Sequence, residues 1–114
     1  MIKKSAYVPR AAMGEEERKI RSRLSQLIHS RAVIRGTLNP REITCGKANC
    51  KCVRGEKHAY LYLVVRDGGK LRQKLIPRSQ EAEVRRWVEQ YQEAQNLLEE
   101  ISDYYWGKLG RTKE

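Results

Sequence analysis

Three cysteines and one histidine are the residues whose types and spacing point to chemistry. Cys45, Cys50 and Cys52 fall within eight residues, and His58 follows. Zinc takes four soft or borderline ligands in a tetrahedron, with sulfur about 2.3 Å and imidazole nitrogen about 2.0–2.1 Å away. Gly46 and Gly55 let the backbone fold back between ligands. Lys47, Lys51, Arg54 and Lys57 surround the thiols, and nearby cations favour the thiolate that binds metal. Four protein ligands leave no open position, so the expected cofactor is one structural Zn2+. The spacing is not that of paired Cys-x-x-Cys fingers. Buried cysteines with a free thiol, a redox Cys-x-Cys and an iron–sulfur cluster therefore stay open as readings. The fourth ligand also stays open between His58 and His29, which lies beside apolar Ile28.

The second constellation is basic. Arg66, Lys70, Arg72 and Lys74 follow the last cysteine–histidine ligand, with Tyr60 and Tyr62 just before them. Lys and Arg neutralise phosphates and release counterions, and tyrosine rings stack on exposed bases. A closed zinc loop is expected to bring Lys47, Lys51, Arg54 and Lys57 together with the four later cations in one phosphate-sized footprint. Glu15, Glu16, Glu17, Glu99 and Glu100 read as helix-surface charges without a histidine partner, and no serine or cysteine has a base at a recognisable spacing. No catalytic residue is named, and no enzyme is expected.

A chain of 114 residues suits one domain with a limited core, to which a metal staple adds stability. An odd count of three cysteines fits a disulfide framework poorly and suits a reducing, cytoplasmic compartment. The N-terminal MIKKSAYVPR lacks the apolar run of a signal peptide. Ala59 to Val65 is too short to span a bilayer, so no membrane partner is expected. The net charge of +10 is uneven: residues 59–78 carry five Lys/Arg against one Asp, and residues 79–103 two Arg against seven acids. A basic excess of this size suits a polyanion, nucleic acid before membrane.

Residues 1–13 read as a flexible basic arm, and 14–114 as a single zinc-binding domain. Ile20, Leu24, Leu27, Ile28 and Ile34 form an apolar stripe over a helix from 15 to 35, ended by Gly36. Thr37 to Thr44, containing Asn39-Pro40, reads as a turn leading to a brief strand at best. The zinc loop spans 45–58. A hairpin over 59–76 turns at Asp67-Gly68-Gly69, with Tyr60, Tyr62 and Val64 on one face and Leu61, Leu63 and Val65 on the other. One apolar face should pack on a helix, leaving Tyr and Lys/Arg on the other. Ser79 is the expected N-cap of a helix over 80–105. Val84, Tyr91, Leu98 and Tyr105 recur every seven residues there, with Trp87, Ala94 and Ile101 interleaved. Such a helix runs about 39 Å and should bury its stripe on the first helix or on a second copy, as a homodimer through 84–105. The fold class is α+β: a small antiparallel hairpin or three-stranded sheet with a zinc loop, between two helices.

Several of these residues carry a resemblance. Arg35-Gly36-Thr37-Leu38, Cys45-Gly46-Lys47 with Cys50, Cys52, Gly55 and His58, then Tyr60, Tyr62, Gly69-Lys70, Ile76-Pro77 and Val84-Arg85-Arg86-Trp87-Val88 resemble a family of short prokaryotic proteins of unknown function. The match covers roughly residues 31–101. Members often carry Gly-Pro after the histidine, where this chain has Ala59. The resemblance implies a metal site and, because some members are encoded near transposase genes, an association with mobile elements. It implies no activity.

Two functions follow as expectations. One is a zinc-stabilised nucleic-acid-binding protein, DNA before RNA. The other is a protein–protein adaptor using the acidic heptad helix, with zinc purely structural.

Overall fold

Alternating apolar and polar residues with β-branched and aromatic content set the strands, and two longer amphipathic runs set the helices. The computed structural model describes residues 7–43 and 58–110. In chain order these are helix α1 (Glu15–Ser30), strands β1 (Thr37–Ile43), β2 (His58–Asp67) and β3 (Lys70–Ile76), and helix α2 (Glu81–Lys108), with short 3-10 turns at Arg10–Ala12 and Arg78–Gln80. The class is α+β. Two compact units divide the chain: Met1–Arg31 with Gln92–Glu114, and Ala32–Tyr91.

The Ala32–Tyr91 unit is built on an antiparallel sheet of order β1-β2-β3. Gly68 and Gly69, with φ of 58° and 81°, form the two-residue turn between β2 and β3, the conformation that matches strand twist. β1 supplies the third strand but runs through Asn39-Pro40, where a turn leading to a brief strand is expected. Pro40 pairs opposite Leu61 and is tolerated because β1 is an edge strand, where the missing N–H breaks no interior ladder. Leu61, Ile76 and Val84 form the core, joined by Leu38, Leu63, Trp87 and Val88. The first turns of α2 thus cover one face of the sheet.

Helix α1 stops five residues before the expected boundary at 35. Arg31 turns extended, with ψ of 143°, and the Ser30 hydroxyl donates to the Gln26 carbonyl at 2.9 Å, a side-chain bond that competes with helix continuation. Residues beyond Arg31 belong to the sheet unit instead, where Ile34 N–H donates to the Trp87 carbonyl at 3.2 Å and Gln90 Nε2 donates to the Ala32 carbonyl. Ile34 therefore leaves the helical stripe. Ser79 lies within the 3-10 turn, and α2 begins at Glu81. The N-cap expectation is corrected accordingly.

In the other unit, Met13, Leu27 and Ile101 are buried. Met13 and the Arg10–Ala12 turn extend ordered structure into the stretch read as a flexible arm. Glu17 of α1 meets Tyr105 of α2, and Arg23 meets Glu93, so the helices run antiparallel. Leu98 stands 58 % exposed, so the heptad stripe is not buried along its whole length within one chain. A straight helix repeats every 3.6 residues, so a strict seven-residue stripe drifts off its buried face without supercoiling. Leu98 falls off that face, while Leu97 is half-buried. Ile28 is likewise exposed.

A candidate nucleic-acid interface

Strand parity sorts the expected contact residues. Opposite partners share a face, so Arg41, Tyr60 and Tyr62 stand with Val64, Arg66, Leu71, Gln73 and Leu75 on the side away from the core. Leu71 and Leu75 are 52 % and 45 % exposed, so this face is open to solvent along β3, while Tyr60, Tyr62 and Val64 are half-buried. Arg41 lies over the Tyr62 ring, its Cζ 4.4 Å from the centroid, and its guanidinium donates to Gln73 Oε1 at 2.6 Å. Stacking and hydrogen bond together hold the guanidinium plane across three strands. Such contacts contribute about 0.5–1 kcal/mol at exposed sites, enough to orient Arg41.

The expectation that tyrosines and cations share one face is corrected. Only Arg66 of the four hairpin cations shares it. Lys70, Arg72 and Lys74 lie opposite Asp67, Val65 and Leu63, on the same side as α2. Arg41 takes the role of tyrosine-face cation. Sequence reasoning missed it because Pro40 concealed the strand, and without a strand Arg41 has no parity.

The single-footprint expectation rests on Lys47, Lys51, Arg54 and Lys57, which lie outside the described residues. Ile43 pairs with His58 at the end of the sheet away from the hairpin turn. Arg66 is eight residues further along β2, roughly 26 Å at 3.3 Å per residue. Lys70 and Arg72 sit at that far end, beside Arg35. Cys45, Cys50, Cys52, Lys47, Lys51, Arg54 and Lys57 lie outside the described residues, as does the His58 side chain. The start of β2 is held by Arg78, whose guanidinium donates to the Ala59 carbonyl at 3.1 Å.

Glu17 is the one buried charged residue among those described, at 2 % exposure. It accepts from the Tyr105 hydroxyl and from Arg21 Nε, each at 2.8 Å. The Tyr105 hydrogen bond holds the Glu17 carboxyl below its usual range, with Arg21 adding to it, against the upward pull of burial. The Arg21 guanidinium is pushed up in turn, chiefly by its bond to Glu17. Every polar contact is satisfied within the cluster, which marks it as a helix-to-helix fastening.

Residues 13–86 match a family model described as a domain of unknown function, DUF6788. The chain belongs to that family. The matched DUF6788 span takes in α1, the whole sheet and the first turns of α2; it begins upstream of the resemblance noted over 31–101 and ends before it. No curated protein and no solved structure matches. Among the described residues, no helix is long and apolar enough to cross a membrane.

Proposed function

We propose that this protein binds nucleic acid, and that the open sheet face takes a single strand. The observation that carries the reading is the Arg41–Tyr62 stack, 4.4 Å apart beside Tyr60 on a face open to solvent along β3. Single-strand binders combine stacking platforms with cations that follow the backbone, and guanidinium planes stack on bases as rings do. A three-stranded face of aromatic and apolar groups suits splayed bases better than the paired backbone of a duplex. The net charge of +10 adds the long-range attraction. Association with mobile DNA, which the resemblance implies, fits the same reading.

A structural zinc on Cys45, Cys50, Cys52 and His58 belongs to this proposal. The ladder sets Ile43 opposite His58, so both ends of the cysteine segment meet, as ligands from both ends require. With zinc bound, the segment would be closed at the tyrosine end of the sheet.

The deciding measurement is fluorescence anisotropy with a labelled single-stranded DNA, a single-stranded RNA and a duplex, each at about 50 and 200 mM salt. Tyr62→Ala should weaken single-strand binding about 5- to 150-fold, the equivalent of roughly 1–3 kcal/mol per stacked base. Absence of salt-dependent binding to all three probes would reject the reading.

One observation favours the adaptor as the second reading. Leu98 and Trp106 of α2 and Leu109 just after it are exposed, leaving apolar groups on and beside an acidic helix. If they seat a second copy, sedimentation should show a concentration-dependent dimer that Leu98→Glu abolishes.

A further inference from the structure

We propose that the groove at the hairpin end of the sheet, rimmed by Arg35, Arg72 and Lys74, is a phosphate-backbone site for the strand whose bases lie on the tyrosine face. This rests on the single-strand reading above and adds where the backbone runs. The groove is a concavity of about 430 Å³ with Leu63 and Val65 in its floor. Three cations gather on it against one carboxylate, Asp67, whose Oδ1 lies 3.8 Å from Arg35 and Oδ2 3.3 Å from Arg72. Both are exposed ion pairs, which contribute little and yield readily to a competing anion. Among the described residues no carboxylate pairs with Lys74.

The sequence places these groups far apart, and the fold gathers them. Arg35 reaches the groove because Ile34 N–H is bound to the Trp87 carbonyl and because Gly36 lets the chain run hard against β2. A Cβ at Gly36 would stand 2.7 Å from Leu63 Cδ1. Arg72 and Lys74 flank Gln73 on edge strand β3. Gln73 lines the groove and also accepts the hydrogen bond from Arg41 on the open face. Arg72 and Lys74 stand on the other side of β3 from the Arg41–Tyr62 platform, so a strand reaches both by passing round this edge strand. Guanidinium forks and an ammonium are the groups that bind phosphate oxygens.

The test compares full-length wild type with Arg35→Gln/Lys74→Gln and with Arg35→Lys/Lys74→Arg, using a labelled single-stranded oligothymidine over a salt series. Thermal melts confirm that each variant folds. Each phosphate contact to a single strand contributes about 0.7 to the slope of log affinity against log salt. The glutamine pair should therefore reduce the slope by about 1.4, while the charge-preserving pair retains it. Tyr62→Ala should lower affinity with the slope unchanged, which separates base stacking from backbone contact. If wild type binds and Tyr62→Ala weakens it, but the glutamine pair keeps the wild-type slope, the groove assignment is overturned and the single-strand reading stands. If wild type does not bind the oligonucleotide, both are overturned together.

Discussion

At the residue scale, two positions expose how tightly this fold is specified. Gly36 has φ of 150°, and a methyl there would meet Leu63 at 2.7 Å and the Val64 carbonyl at 3.2 Å. Gly36→Ala should therefore destabilise by about 1–3 kcal/mol, read as a lower urea midpoint. An unchanged midpoint would mean that the entry to β1 is not held as described. Glu17 tests a different force. Its carboxyl is held below the usual range by the Tyr105 hydroxyl and Arg21, so it contributes stability above the unfolded carboxylate value, near 4.3. That stability is lost as pH falls through the depressed folded value. Tyr105→Phe removes the largest cause of the depression. The variant should be less stable than wild type at neutral pH, and the gap should narrow as pH falls below the unfolded carboxylate value of about 4.3. A gap constant with pH would show that the hydroxyl does not act through the carboxylate.

At the element scale, burial separates what holds the sheet from what merely decorates α2. Leu61 and Val84 are among the most buried side chains of the Ala32–Tyr91 unit. Leu61→Ala should cost about 2–5 kcal/mol, from lost transfer energy plus the cavity left between sheet and helix. Leu98 repeats in register with Val84 and Tyr91 yet is exposed, so Leu98→Ala should change monomer stability by no more than about 0.5 kcal/mol. Chemical denaturation of both variants checks the contrast. Equal losses would restore the heptad as a buried seam.

At the scale of the whole molecule, His58 and the Asp67 of the cationic groove stand at opposite ends of one ladder. His58 opens β2 and Asp67 closes it. The proposed metal and the hairpin cations can therefore be perturbed separately. Untagged protein should contain one zinc per chain by elemental analysis, and Cys50→Ser should lose it and melt at a lower temperature, because metal binding is coupled to folding. Chelation should weaken nucleic-acid binding without altering the contribution of Arg35 and Lys74 to the salt slope. Metal-free wild-type protein, or full zinc retention by Cys50→Ser, would reject the ligand set.

The local signals were legible in the residues alone. Alternation across Ala59–Val65, the Asp67-Gly68-Gly69 turn and the apolar periodicity after Glu81 each lie within a few neighbours, where period and turn chemistry act directly. They predict the hairpin, the face carrying Tyr60 and Tyr62, and the long second helix. Less was legible where a distant partner decides. Pro40 argues against a strand until an edge position makes its missing donor harmless. Ile34 fits a helical stripe until Trp87 offers its carbonyl. Arg41 carries no mark in the sequence and Arg35 only its place in the resemblance, because the roles proposed for them come from Tyr62, Gln73, Arg72 and Lys74, brought near them by strand register. The sequence by itself determined the elements and which residue types could do chemistry. Only the tertiary structure decided which cations stand beside the tyrosines, because a side chain's face depends on its strand and its neighbours come from remote parts of the chain.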